Sequence, residues 1–353
     1  MELFTKIDIP ASSIRIDYTN RIAFFGSCFA DNISAQFAAR KFGVLANPFG
    51  TVYNPVSIAG QIKAIADRKV FGESDVFQDA RGLQDVSGKQ DARRPWHSWD
   101  AHGSLSGSTR EECIEKLNNA ATRTREFLQQ ADVVFITLGT AFVYYLKDSS
   151  AAGNGDAHGR AVANCHRQDP ALFERRMITV EEAARALREI ERDLRKIRTD
   201  IRIVFTVSPL RHMADGAHNN TLSKATLQLA VEKATAGMQA SANSVSYFPS
   251  YEIVMDELRD YRFYDSDMVH LSKTAEEYIF ERMVEAYCDE KTRTNIARVE
   301  KFMKMAGHRI SNTRSPASAS FAQKAITQAK TLEKDIPGLD LVAEIAKFNG
   351  IAF

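Results

Sequence analysis

Five short, uninterrupted apolar runs constrain the fold of this chain more than any other feature. They are Ile22-Ala23-Phe24-Phe25, Gly43-Val44-Leu45-Ala46, Val133 through Leu138, Ile201 through Val207, and Val245-Ser246-Tyr247-Phe248. A strand with one wet face alternates apolar and polar residues, whereas a parallel strand covered by helices on both faces reads as a continuous apolar run. Helical periods lie between the runs. Val180, Ala184, Leu187, Ile190, Leu194 and Ile197 fall three or four apart and form one stripe, which predicts a helix over 180–197 packed on the sheet. Thr179, with Glu182 three residues later, reads as its capping box. Strands alternating with helices predict a three-layer α/β/α, doubly wound parallel sheet of flavodoxin-like type. In such sheets ligands bind at the carboxyl ends of the strands.

Two stretches break the pattern. Residues 70–110 are polar, with a Trp96-His97-Ser98-Trp99 cluster, and residues 147–178 read as irregular, with a turn at Gly153-Asn154-Gly155. Loops this long in a compact domain are commonly functional or disordered. After about residue 290 the strand pattern stops, and helical pattern continues around a polar, Pro-containing break at Ser311 to Ser320. The expected organisation is a catalytic domain over 15–290 with a helical extension over 291–353 packed on it.

With 353 residues and 44% hydrophobic content, the chain has enough apolar material for a large core. Its 46 basic and 45 acidic residues leave a net charge of +1, which provides no electrostatic footprint for nucleic acid or an anionic membrane. No apolar run approaches the roughly 18–20 residues of a membrane span. The first residues lack a basic segment followed by an apolar one, so the expectation is a cytoplasmic protein. Cys28, Cys113, Cys165 and Cys288 are too few and too scattered for a disulfide framework or a zinc site. No glycine-rich phosphate loop occurs, which disfavours a nucleotide enzyme. Neither a cofactor nor a metal is expected.

The predicted strand ends carry small and polar clusters: Gly26-Ser27-Cys28, Asn47-Pro48-Phe49-Gly50-Thr51, Gly139-Thr140-Ala141 and Ser208-Pro209-Leu210-Arg211-His212. In a parallel sheet these converge on one edge. Cys28 follows a strand and precedes a helix, so its thiol should feel the helix dipole and have a lowered pKa. Backbone N–H groups at the same turn can hold a developing oxyanion. Cys28, or Ser27 beside it, is therefore a candidate nucleophile; the bland reading is a small residue packed in a tight turn. Asp267-Met268-Val269-His270 places an Asp three residues before a His after the last strand. That Asp can fold back on the imidazole N–H and leave the other nitrogen as a base.

Phe24-Phe25-Gly26-Ser27-Cys28-Phe29-Ala30 resembles the motif of the GSCFA-domain family, grouped with the SGNH (GDSL-like) hydrolases. Leu138 through Ala141, Val162 through His166, Val207 through His212, Phe248 through Glu252 and Asp256 through His270 resemble further blocks of that family. The resemblance implies Cys28 as nucleophile, His270 as base, Asp267 as its orienting carboxylate and Gly50 as an oxyanion donor. Gly139-Thr140-Ala141 takes the third block, but Ala141 stands where an oxyanion Asn belongs; Thr140 or Asn54 could substitute. The implied function is hydrolysis or transfer of an acyl ester on an acylated carbohydrate, with acetyl as the expected acyl group. The rival is a non-catalytic glycan-binding module that keeps the SGNH fold.

Other candidates surround this set. His97 and His102 could line a sugar site with Trp96 and Trp99 as stacking faces; with Asp100 they could also be read as metal ligands, but no further ligand follows at regular spacing. Asn164 and His166 recur as a family block. Arg211 and His212 at a strand end could bind an anion or close the sheet edge with a salt bridge. The expected partner is a small-molecule or glycan acyl ester; the oligomeric state is not legible.

Overall fold

The computed structural model describes residues 5–351, apart from 11, 80–82, 85–89, 92–93, 148–158, 239–243 and 309–314. Five strands form the central sheet: β1 (Arg21–Gly26), β2 (Gly43–Ala46), β3 (Val133–Leu138), β4 (Arg202–Val207) and β5 (Val245–Tyr247), in the order β5-β4-β3-β1-β2. Every neighbouring pair is parallel. The register sets Gly26 beside Thr137 and Thr137 beside Thr206, so the carboxyl ends of β1, β3 and β4 finish abreast.

Alternate side chains of each strand enter opposite layers. Ile22, Phe24, Val133, Phe135 and Val204 pack with α1 (Cys28–Ala39) and the helices that close the chain. Ala23, Phe25, Val134, Ile136, Ile203 and Phe205 pack with α2 (Pro55–Ala66), α3 (Arg110–Leu128), α4 (Val180–Ile197) and α5 (Ala217–Met238). Each fully buried phenylalanine contributes on the order of 1.5–3 kcal/mol. This is the three-layer α/β arrangement expected from the runs. The α4 helix begins at the expected capping box: the Glu182 N–H donates to Thr179 Oγ1 at 3.2 Å, and the Thr179 N–H donates to Glu182 Oε2 at 2.8 Å.

The closing helices are α6 (Lys273–Tyr287), α7 (Glu290–Ala306), α8 (Pro316–Asp335) and α9 (Val342–Asn349). Val299, Phe302, Ala325, Ala329 and Phe348 belong to the same core cluster as Phe24 and Phe37. Arg40 at the end of α1 joins these layers. Its guanidinium donates to Glu277 of α6 and, at 2.6 Å, to Glu300 of α7, and lies 4.0 Å from the Phe280 ring centre. Among the described residues no helix is long and apolar enough to cross a membrane.

Two sequence expectations need correcting. Part of the supposedly irregular 147–178 stretch is a three-stranded antiparallel sheet, in which Phe142–Leu146 pairs with Phe173–Met177 and with Ala161–Val162. Its outer strand, Phe-Glu-Arg-Arg-Met, has too little apolar content to read as a strand. The Gly153-Asn154-Gly155 turn lies outside the described residues. The polar break near Ser311 to Ser320 is shorter than expected, because Pro316 takes the first position of α8 and Ser315 caps it, accepting from Ser318 N–H at 3.1 Å. A proline is at home there, where its missing N–H would have no helical partner.

Candidate active site at the carboxyl edge

Gly26, Ser27 and Cys28 form the turn from β1 into α1, with Ser27 as N-cap and Cys28 as the first helical residue. Gly26 is held at φ +136°, and a Cβ there would stand 2.0 Å from the Thr137 carbonyl oxygen. Only glycine tolerates that backbone and that approach. The turn is tied on every side. Ser27 N–H donates to Thr137 O at 3.2 Å, Val52 N–H donates to Gly26 O at 2.9 Å, and Gly26 N–H donates to Asn47 Oδ1 at 2.8 Å. Asn47 Nδ2 and Thr51 Oγ1 then donate to the Asp31 carboxylate at 2.8 and 3.0 Å.

Cys28 is half-buried, while Ser27 is 1% exposed and its hydroxyl has no hydrogen-bond partner. The thiol differs from the expectation of a lowered pKa. Burial pushes it up, Asp31 pushes it further, and the N–H groups of Cys28 and Phe29 together with Lys224 only partly offset them. Desolvation and the carboxylate one turn along the same helix outweigh the helix end, which acting alone would lower the thiol.

Asp267 and His270 pair as their spacing suggests. Asp267 Oδ1 accepts from the Val269 and His270 N–H groups at 2.9 and 2.8 Å, and Oδ2 accepts from His270 Nδ1 at 2.5 Å. This fixes the tautomer with the proton on Nδ1 and leaves Nε2 as acceptor. Those contacts with its own neighbours hold Asp267 down to about 2. Both side chains are about half exposed. The loop adjoins α1 through α6, where Glu276 accepts from Asn32 and senses the His270 charge.

His212 lies within the electrostatic reach of His270 and of Lys224, and burial leads in holding it at about 4, so it is neutral. Its ring meets Tyr53 edge to face at 5.4 Å between centres. Its N–H donates to Asn220 Oδ1 at 2.9 Å. Arg211 reaches Met255 Sδ at 4.0 Å, and its charge acts on Lys224 and Tyr264.

Of the expected oxyanion donors, the backbone N–H groups of Gly50, Gly139 and Thr140 are engaged elsewhere. Gly50 N–H closes a turn onto Asn47 O at 2.7 Å, and the N–H groups of Gly139 and Thr140 donate to Tyr53 O at 2.7 and 3.0 Å. Thr140 Oγ1 lies 3.1 Å from Ser223 Oγ and accepts from Phe142 N–H. Asn54 Oδ1 caps α2, accepting from Ser57 N–H at 2.8 Å. The N–H groups left facing the sulfur are those of Cys28 and Phe29.

The aromatic candidates form a cluster of their own. His97 stacks on His166 at 4.4 Å, Trp99 stacks on Phe77 at 3.7 Å, and Arg110 lies 4.7 Å from the Trp96 ring centre. His97 Nδ1 lies 2.6 Å from Ser106 Oγ, His166 Nε2 donates to Ser98 O at 2.7 Å, and Asn164 Oδ1 accepts from His166 N–H at 2.7 Å. His102 packs against Gly50, where a Cβ would stand 2.2 Å from the His102 Cβ, and its charge reaches His166. The Asp100 carboxylate pairs with Arg160 and Lys69 instead of joining either histidine. Among the described residues no group of three His, Cys, Asp or Glu side chains is placed to hold a metal ion.

Sequence reasoning overlooked one face of α5. Asn220, Ser223 and Lys224 are all buried and point at the strand-end loops. Ser223 Oγ accepts from Ala141 N–H at 2.7 Å, and Lys224 Nζ donates to Gly139 O and Ser208 O at 2.6 and 2.7 Å. No signal in the sequence sets them apart, because the residues around them, from His218 to Thr226, are mostly polar. A cleft of about 780 Å³ lies away from this edge, between α2 and α4, where its charged groups Lys69, Asp100, Arg160 and Asp193 are already paired.

A doubly wound sheet with a thiol at the first strand end and an Asp–His pair after the last defines a broad class of α/β protein. Within it the chain belongs to the GSCFA family, whose sequence profile matches residues 21–283. Solved structures similar to it include two esterases. One is a Clostridium thermocellum family 3 carbohydrate esterase, at 10% identity and TM-score 0.31, covering 76% of this chain and 94% of that one. The other is the acetyl xylan esterase Est2A from the rumen bacterium Butyrivibrio proteoclasticus, at 12% identity and TM-score 0.33, covering 79% and 64%. Comparison with curated proteins found no match.

Proposed function

We propose that this protein is an SGNH-like acyl-ester hydrolase or acyltransferase acting on an acylated carbohydrate, acetyl being the first acyl group to test, with Cys28 as nucleophile, His270 as base and Asp267 as the carboxylate that orients it. The observation that carries this reading is the hydrogen-bonded Asp267–His270 pair on a loop adjoining the helix that begins with a half-exposed thiol. Ser27 is the weaker nucleophile candidate because its hydroxyl is buried.

In the reaction, His270 Nε2 takes the thiol proton as Sγ attacks the acyl carbon. The N–H groups of Cys28 and Phe29 face the oxyanion. The proton passes from His270 to the departing sugar oxygen, leaving a thioester. Water, or an alcohol in the transferase, then gives its proton to His270 and attacks the thioester; the acid or new ester leaves, and Sγ recovers the proton. The thiol's raised pKa makes the base necessary.

The test is Cys28→Ala against Ser27→Ala on a panel of acetylated sugars and aryl esters. Loss of at least about a thousandfold in kcat/KM in the Cys28 variant is expected; full retention removes the nucleophile assignment. Adding an alcohol acceptor separates the two reactions, since a pure hydrolase yields only free acid.

The second reading, a glycan-binding module on a degraded site, draws on the raised thiol pKa, on Ala141, and on the engaged Gly50 and Gly139 N–H groups. Thiol alkylation discriminates: a catalytic Cys28 labels far faster than Cys113, Cys165 and Cys288 near neutral pH, and uniform slow labelling favours the module.

A further inference from the structure

Lys224 is 1% exposed, on the face of α5 turned toward the carboxyl edge. Two of its three ammonium protons go to neutral carbonyls, Gly139 O after β3 and Ser208 O after β4. Among the described residues it makes no salt bridge with a carboxylate. Taking a lysine out of water costs several kcal/mol by order of magnitude, and carbonyl dipoles only partly offset this. Burial, the leading cause, lowers Lys224 to about 7, and an anion nearby would favour its ammonium form.

The register places a thiol nearby. Gly139 lies two residues past Thr137, which stands beside Gly26 and accepts the Ser27 N–H. The loop that Lys224 grips is therefore one strand over from the turn carrying Cys28. Of the charged groups acting on Lys224, Arg211 repels it and a Cys28 thiolate attracts it. Around the sulfur are Asp31 on its own helix, Tyr53 on the loop before α2, and Lys224 on α5. His212, beyond Gly139, is kept neutral and adds no charge.

We propose that Lys224 is a positioning residue of this site: its buried ammonium, held by the Gly139 and Ser208 carbonyls, is the counter-charge for the Cys28 thiolate. The proposal rests on the reading of Cys28 as nucleophile. In its ammonium form Lys224 lowers the proton affinity of the sulfur, and the thiol proton goes to His270. Asp31 faces the same sulfur, and Lys224 offsets that repulsion.

The test is the pH dependence of Cys28 alkylation by iodoacetamide, followed by peptide mass spectrometry on the full chain. Lys224→Met should move the midpoint up by about one unit, a roughly tenfold slower rate near pH 7. Lys224→Arg, which keeps the charge, should restore most of it. An unchanged midpoint in a folded Lys224→Met protein overturns the proposal, as does a midpoint that moves only in His270→Asn. Should Lys224→Met fail to fold, a lysine-selective NMR titration of wild type against Cys28→Ala decides. The Lys224 midpoint should fall once the sulfur is gone, and an unmoved midpoint overturns the pairing. Failure of the reading itself looks different: Cys28 would alkylate no faster than the other three cysteines in the wild-type protein.

Discussion

The two turns that would have to cooperate in catalysis are built on opposite principles. The Cys28 turn is buried, crosses a position only glycine can occupy, and is fixed by backbone hydrogen bonds to β3 and the Asn47–Val52 loop. The Asp267–His270 turn is half exposed and folds largely on itself, with Asp267 bonded to residues two and three positions on and Asp265 N–H donating to His270 O. A nucleophile needs its position set to a fraction of an ångström, and the first turn supplies that. A base must shed and regain protons, which a wet loop permits.

This contrast ranks the effects of substitution on stability. Gly26→Ala should be the most severe: the Cβ overlaps the Thr137 carbonyl and the φ is strained, so a loss of roughly 4 kcal/mol or more, read as failure to fold or a collapsed melting temperature, is expected. A soluble Gly26→Ala protein melting like wild type would refute the account of the buried turn. Asn47→Ala removes the bonds to Gly26 N–H and to Asp31, and should cost about 2–3 kcal/mol by denaturant titration.

The aromatic cluster supplies an acid-sensitive reference. Burial, the leading cause, holds His166 at about 4 against a usual value near 6.5. The unfolded chain therefore binds the extra proton between those values and the folded chain does not, so stability is full above about 6.5 and falls as pH drops toward 4. His166→Asn should flatten that fall by a few degrees of melting temperature, and an unaltered slope would mean that other groups cause it.

Asp267→Asn should barely move the melting temperature at pH 7, because both partners are wet. Its folded pKa lies below the unfolded value, so any contribution is present above about 4 and disappears as pH falls toward 2. Turnover should nonetheless drop at least tenfold, since the imidazole loses its orienting acceptor. Equal losses of stability and turnover would erase the contrast between the turns.

How much of this could be read in advance depended on what each residue is buried against. The central strands were legible because a strand covered on both faces has no polar positions to blur it. The α4 boundaries followed from one stripe and one capping box. Phe142–Leu146 and Phe173–Met177 were missed because an outlying antiparallel strand can carry Glu174, Arg175 and Arg176 toward solvent. The Asp–His pair is local and was visible in its spacing. The buried polar face of α5 was not, because Asn220, Ser223 and Lys224 look like solvent-facing residues until the loops they bind are in place. The direction of the Cys28 shift was misjudged for the same reason: desolvation is a property of the assembled layers.

Arg40 gives the end of the chain a part in this edge. Cys28 opens α1 and Arg40 closes it, about 18 Å away for twelve residues. The far end is clasped by Glu277 of α6 and Glu300 of α7. The rod that carries the sulfur is thus pinned at its tail by helices far along the chain, so loosening that clasp would change the pitch of the rod and the aim of its tip. Glu300→Ala, remote from any acyl group, is a way to tune the chemistry by leverage.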